Sequence, residues 1–244
     1  MSNNLIEILI FFCIFMIGGS ISSFYHVFVT RREKGENFLI SRSKCDNCNK
    51  VLKCYEMIPV FSYLFLKGRC SNCKSKIGLD KFITELLSST LALVFFYKYG
   101  FSILTIFAIL ISVVLIFIGL VDLKTGYIHN IDLIILLIFA VLYNLFLGIN
   151  IVTTLKYGAI LFAIFFIIYF VTKMMGLGDV FFGFILGLFA INNLEAFIIF
   201  KNSFIFAAII SIILILMKRK TPKDEIAFGP YMSMSILYFL IFYR

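Results

Sequence analysis

The chain has 244 residues, of which 62% are hydrophobic and 14% charged, and its mean hydropathy is +1.05. That much apolar surface cannot be hidden in a soluble domain, so a water-soluble globular protein is excluded. The formal charge is +9, but the basic residues are spread over loops rather than gathered in a stripe, which argues against a nucleic-acid interface.

Eight apolar runs read as membrane spans, at residues 5–29, 82–97, 101–121, 131–147, 151–171, 180–200, 203–217 and 226–243. A run of about 18 or more apolar residues is long enough to cross a bilayer. The spans are expected to be helices, because lipid offers no partner to an unpaired backbone group. The first run lacks a basic stretch ahead of it and has Glu7 early, so it reads as a retained span rather than a secretory signal. The expectation is an all-α multi-pass membrane protein of about eight transmembrane helices: a first helix over 1–29, a polar insert over 30–81 and a seven-helix membrane domain over 82–244.

Basic residues favour the cytoplasmic side of short loops. The insert holds 12 of the 22, and eight crossings put 18 on one face and four (Lys98, Lys156, Lys201 and Arg244) on the other. This asymmetry places the insert inside and both termini outside.

The insert carries "CDNC" at 45–48 and "CSNC" at 70–73, with 21 residues between them. Two such pairs suggest a tetrahedral thiolate site for structural zinc at Cys45, Cys48, Cys70 and Cys73. About 50 residues have too little core to fold alone, and metal binding contributes to folding about 10–16 kcal/mol of apparent free energy. Disulfides and a thioredoxin-like redox pair are the competing readings. A cytoplasmic insert disfavours the first, and the lack of a βαβ pattern disfavours the second. Cys13 reads as packing in the first span, and Cys54 has no assigned role.

Six acidic residues stand within or at the edges of spans: Glu7, Glu85, Asp122, Asp132, Asp179 and Glu195. Ionisable groups at membrane depth are costly and are functional candidates by default. The topology puts Asp122 and Asp179 at inner ends of spans, so they can meet although 57 positions separate them. Two close carboxylates share a proton, and such a pair can activate water and protonate a leaving group. In "GLGD", Gly176 and Gly178 are expected to permit backbone shapes closed to other residues and to let a substrate approach Asp179. The competing reading is an ordinary helix-ending turn with a solvated aspartate.

These stretches together resemble the bacterial prepilin peptidases, also called type IV leader peptidases. "SSFYHVFVTR" is similar to the end of that family's first span, and "CDNCNKVLKCYEMIPVFSYLFLKGRCSNCKSKI" to its cytoplasmic cysteine domain. "VDLKTGYIHN" is similar to the first catalytic loop, "GLGDV" to the second and "FGPYMS" to the last. The resemblance implies a membrane aspartic protease in the bacterial cell membrane with its active site facing the cytoplasm. Such an enzyme removes the basic leader of type IV prepilins or pseudopilins after glycine. The resemblance also implies that Asp122 and Asp179 are the catalytic pair and that the four cysteines bind zinc. Many members then methylate the new N-terminus with S-adenosylmethionine. No soluble fold for that cofactor is visible here, and Glu85 is one candidate for such a site. Its alternative role is capping or pairing with Lys81.

The chain departs from the family at two positions. His129 stands where the first loop usually has Pro, which frees the backbone there. Phe181 stands where the second loop usually has Lys, a residue that would favour a charged Asp179 and for which Lys124 or Lys173 is the available substitute. Two rival readings are a presenilin-like intramembrane protease, disfavoured by the four-cysteine insert and "FGP", and a proton-coupled transporter, disfavoured by the absence of mid-membrane carboxylates and internal repeats.

Overall fold

In a computed structural model of the chain, residues 2–35, 43–45, 47–173, 175–219, 221, 224 and 226–244 are described. Arg42, Lys220 and Lys223 of the inner charge set, Asp46 of the first cysteine pair and Met174 before "GLGD" lie outside them. Among the described residues every regular element is helical: α1 (Ser2–Glu33), α2 (Phe61–Phe65), α3 (Leu79–Tyr99), α4 (Ile103–Thr125), α5 (Asn130–Phe146), α6 (Ile151–Thr172), α7 (Leu177–Leu188), α8 (Asn193–Leu216) and α9 (Gly229–Phe242), with a 3₁₀ turn at Cys54–Met57. Four of them, α1, α4, α6 and α8, are long and apolar enough to cross a membrane.

The chain divides into two compact units, Met1–Phe101 and Ser102–Arg244. In the first, α1 packs on α3 through small residues. A Cβ on Gly18 would fall 2.6 Å from Ala92 Cβ, and one on Gly19 would fall 2.7 Å from Ser89 Oγ and 2.8 Å from Pro59 Cβ. Glycine here lets the two backbones and the Pro59 turn approach closely. That turn is unusual. Val60 has φ 64° and ψ −53°, and Phe61 N–H donates to Pro59 O at 2.6 Å. This is a γ-turn centred on a β-branched residue, a strained backbone for valine. Glu85 of α3 accepts the Val60 N–H at 2.8 Å. Phe61 packs against Phe12 and Phe15 of α1, and Tyr63 stacks on Phe82 of α3 with ring centroids 4.7 Å apart.

In the second unit α4, α7 and α9 are the most buried helices, and α7 is the shortest of them. It has 12 residues, about 18 Å of rise, which is shorter than the ~30 Å hydrocarbon layer. Seven of its residues are buried. Gly183 and Gly187 lie on its α6 side. A Cβ at Gly187 would come 2.6 Å from Gly158 Cα, and one at Gly183 would come 2.8 Å from Phe165 Cγ. This small-x-x-x-small spacing brings helices into backbone contact.

One predicted boundary is corrected. The run 180–200 is not one span and 203–217 not the next. The chain breaks after Leu188, and α8 runs through Lys201 and Asn202. Hydrogen bonding sets the break. Asn144 donates to Leu188 O at 2.8 Å and Arg244 to Phe189 O at 2.8 Å, which satisfies carbonyls freed at the end of α7. Asn192 then caps α8 by accepting the Glu195 N–H at 2.8 Å, and the Glu195 carboxylate accepts the Ile191 N–H at 3.0 Å. The capping signal is present in the sequence as "NNLE". Cys13, expected to pack, is instead exposed on the apolar surface of α1.

Candidate active site and candidate metal centre

Asp122 lies in the last turn of α4, which Gly126 ends in the left-handed conformation at φ 70°, donating its N–H to Asp122 O at 2.8 Å. Asp122 is 4% exposed, and its Oδ2 accepts the backbone N–H of Gly229, the first residue of α9, at 2.8 Å. Asp179 is the third residue of α7. Its Oδ2 accepts the Gly176 N–H at 3.2 Å and so closes the helix start. It lies close enough to Asp122 to feel its charge. Each carboxylate is thus held through one oxygen by a glycine N–H.

Ile128, in the loop between α4 and α5, fills the space beside both sites. It stands 3.3 Å (Cβ) from where a Cβ on Gly178 would lie, and its Cδ1 stands 3.1 Å from where one on Gly229 would lie. The C-terminal end of α4 and the N-terminal ends of α7 and α9 therefore meet around one isoleucine. Tyr231 is buried nearby and also feels the Asp122 charge. Gly229, Ile128 and Tyr231 were not singled out from the sequence, although "FGPY" and "GYIH" contain them.

Two expectations about the loops are corrected. Gly176 has φ −76° and ψ 151°, which any residue adopts, and Gly178 lies inside α7 without a positive φ. Gly178 is needed for space rather than for backbone shape, whereas a Cβ at Gly176 would make only ordinary contact with Asp179 Oδ2 at 3.5 Å. The aspartate also starts a helix rather than following the end of one. Among the described residues no lysine pairs with Asp122 or Asp179, so neither Lys124 nor Lys173 replaces the family's lysine. Phe181 is exposed and packs on Phe162 of α6 at 6.0 Å. His129 precedes α5, and its Nε2 is buried with no hydrogen-bond partner.

The other acidic candidates have separate places. Glu85 holds the Val60 turn rather than Lys81. Glu195 closes the start of α8. Asp132 is buried in the first turn of α5, and Glu7 is exposed on α1.

The four cysteines converge. Cys45, Cys48, Cys70 and Cys73 place their Sγ atoms within 4.8 Å of one another, with Cys45–Cys73 at 3.8 Å and Cys48–Cys70 at 4.0 Å. Four thiolates about 2.3 Å from a tetrahedral metal lie about 3.8 Å apart, so the donor set fits a metal ion. No disulfide joins them. The two halves repeat one local design. Cys45 N–H donates to Lys50 O and Cys70 N–H to Ser75 O, both at 2.9 Å. Asn49 and Lys74, each directly after the second cysteine of its pair, take left-handed φ values of 55° and 58°. The bridges Lys44–Val51 and Arg69–Lys76 close the two turns. The halves also reach across to each other, since the Asn47 amide lies 3.8 Å from Cys73 Sγ and the Asn72 amide 3.7 Å from Cys48 Sγ. Such outer contacts orient ligand thiolates, and these two asparagines were not anticipated. The Ser75 hydroxyl, 3.0 Å from Cys73 Sγ, and the Ser75 backbone N–H hold that thiol down to about 6, favouring the thiolate a metal needs. Beside the cluster, the Lys53 N–H, the Ser71 hydroxyl and Lys50 at 3.0 Å hold the Glu56 carboxyl down to about 2.

These features define an all-helical protein with membrane-length helices and a four-thiolate insert between α1 and α3. Residues 16–99 match the family model described as Bacterial Peptidase A24 N-terminal domain. The chain is 30% identical to a prepilin leader peptidase/N-methyltransferase of Legionella pneumophila over 220 residues, 85% of this chain and 75% of that protein. It is 29% identical to the protein of the same description from Aeromonas salmonicida over 209 residues, 82% of this chain and 70% of that protein. The match to the Neisseria gonorrhoeae protein is 30% over 94 residues, 38% of this chain, and spans only 33% of that relative's length. No solved structure matches the chain. The chain belongs to the prepilin leader peptidase/N-methyltransferase family.

Proposed function

We propose that the chain is an aspartic endopeptidase of the bacterial inner membrane that removes the short basic leader of type IV prepilins or pseudopilins at the cytosolic face. The observation that carries the reading is the meeting of Asp122 and Asp179, each fixed by a glycine N–H, at one end of the second unit. Their second oxygens are left to handle water. One carboxylate, charged, takes a proton from water as it attacks the peptide carbonyl. The other, protonated, donates to the departing amine. The two titrate as a pair, so neither role belongs to one residue in advance.

The site suits its substrate's position. A prepilin joins a basic leader to an apolar helix, so the bond to be cut sits where lipid meets water. There a chain can unwind at glycine without leaving polar groups in hydrocarbon. Asp122, at the C-terminal end of α4, and Asp179, at the N-terminal end of α7, stand beside Lys124 and Lys173, the basic loop residues that mark the inner side.

Structural zinc at Cys45, Cys48, Cys70 and Cys73 is the metal that the thiolate set and its spacing support. When bound it supplies folding energy to the insert. Methylation of the new N-terminus with S-adenosylmethionine is the family's second activity, and its site in this chain is assigned to no residue. Glu85, which holds Val60, is explained by that contact. The test of the peptidase reading is cleavage of a prepilin in membranes by the wild type and by Asp122→Asn. Equal cutting by the two ends the reading.

A further inference from the structure

We propose that the insert carries a binding site for an anionic phospholipid headgroup, formed by Lys67, Arg69 and Lys74 beside the exposed tip of α2. The proposal rests on the reading of α1 and α3 as membrane helices.

The level of α2 is fixed by its contacts. Tyr63 stacks on Phe82 at 4.7 Å, and Phe82 follows Asp80 and Lys81, where α3 turns from polar to apolar. Val60 is tied to Glu85, three residues further along α3, about 4.5 Å deeper. Pro59 abuts Gly19 of α1. The Pro59–Phe61 turn thus dips below the inner surface. Its strained backbone is tolerable there because protein surrounds it and a carboxylate accepts its N–H. The chain climbs back out through α2.

On that climb Leu64 and Phe65 point away from the protein. They are 56% and 80% exposed. Two consecutive large apolar side chains at this level meet acyl chains rather than cytosol. Lys67 and Gly68 then take left-handed φ values of 50° and 66° and reverse the chain. A side chain at 68 would strike Tyr63, its Cβ falling 2.7 Å from the Tyr63 Oη. The reversal closes a cavity of about 450 Å³ lined by Phe65, Lys67, Arg69, Ser71 and Lys74 among others.

Three cations border this cavity, no carboxylate lines it, and its one acidic wall group is the Cys70 thiol, which in a four-thiolate site on a divalent ion shares a net charge of −2 that the three cations exceed. Lys50, which reaches Ser71 at 2.6 Å, is already taken by Glu56. Among the described residues Lys67, Arg69 and Lys74 have no acidic partner. The cavity therefore selects an anion. The basic leader of a prepilin is repelled by it. A phosphodiester suits it: its oxygens accept from guanidinium and ammonium groups, and the attached acyl chains continue onto Leu64 and Phe65. The cytoplasmic leaflet supplies such anionic lipids. A lipid held here pins the metal-binding insert at the inner membrane surface.

The chain contains no tryptophan, so Phe65→Trp makes a sole reporter in the full-length protein. It is reconstituted in phosphatidylcholine vesicles with or without phosphatidylglycerol, using lipids brominated high on the acyl chain. Quenching is expected, deeper with phosphatidylglycerol. The same reporter with Lys67→Gln, Arg69→Gln and Lys74→Gln should lose that lipid dependence while keeping its zinc. Native mass spectrometry of the wild type should show phosphatidylglycerol retained over phosphatidylcholine, and each cation removed should cost about five-fold in retention. An unquenched Phe65→Trp, equal retention of both lipids, or displacement by inorganic phosphate, which would mark a free-anion site, overturns the proposal. Phe24→Trp, at an exposed position of α1, separates the failures. If it is quenched and Phe65→Trp is not, only the lipid site falls. If neither is quenched, the membrane reading falls with it.

Discussion

Gly229 donates its backbone N–H to Asp122 across 107 positions of sequence, at 2.8 Å and out of water. A Cβ at position 229 would stand 2.7 Å from that carboxylate oxygen, so only glycine lets the amide approach. Gly229→Ala should displace Asp122 while removing neither carboxylate. Misplacement of a reacting group by about 1 Å can cost about 10²-fold. The expected result is a fall of that order in kcat for leader cleavage, with unchanged zinc content. Wild-type kcat in this variant would mean the hydrogen bond does not position the site.

Asp122→Asn and Asp179→Asn should each abolish cleavage, because one carboxylate cannot serve as both base and acid. General acid–base catalysis alone contributes about 10²–10⁴-fold, and each variant should lose at least that. Substrate conversion on a gel, normalised to folded protein in the membrane, reads the outcome. Near-normal cutting by either variant removes that residue from the pair.

Gly178 separates space from backbone shape. It lies within α7 with Ile128 3.3 Å from its missing Cβ. Gly178→Ala should therefore keep most activity, since Ile128 has only to move a few tenths of an ångström. Gly178→Val should impair cleavage strongly by pushing Ile128 from between the loops. Equal loss in both variants would restore a backbone requirement.

The purified protein should carry one zinc, and Cys45→Ser or Cys70→Ser should lose it. A hydroxyl in place of a thiolate removes one of four ligands. The insert should become protease-sensitive before the helices do. Elemental analysis finding no zinc in native protein would overturn the assignment.

Glu85 distinguishes a backbone anchor from a cofactor ligand. Glu85→Ala leaves the Val60 N–H unpaired in a buried place, a loss of about 1–3 kcal/mol, whereas Glu85→Gln keeps an acceptor. Thermal unfolding should rank the wild type close to Gln and well above Ala, with methylation following stability. Loss of methylation in a stable Glu85→Gln would instead point to contact with the methyl donor.

The chain's recurring patterns made much of this legible in one dimension. The apolar runs declared helices, because a backbone in lipid must satisfy itself. The paired cysteines declared a cluster, because two Cys-x-x-Cys turns can bring four thiols within reach of one another. The two aspartates were separable from the other acids once the spans were counted, since alternate ends share a side. The structure differs at Lys201, where the expected spans 180–200 and 203–217 meet and α8 instead runs on. A lysine on a lipid-facing helix can extend its charge toward the interface, whereas a helix end needs hydrogen-bond partners.

The sequence by itself determined the helical class, the place of the insert and the four cysteines that cluster in it, and it proposed the aspartate pair, because each is written in residue type and spacing. Tertiary structure alone decided what holds them. The Gly229 amide reaches Asp122 from 107 positions away. Ile128 fills the space beside Gly178 and Gly229. Asn144 and Arg244 end α7 from other helices, and Glu85 steadies a strained valine of the insert. None of these contacts has a periodicity or a motif. The hydrogen bonds exist because a buried polar group must find a partner, and Ile128 sits where it does because buried space must be filled; which neighbour serves depends on which helices happen to pack there.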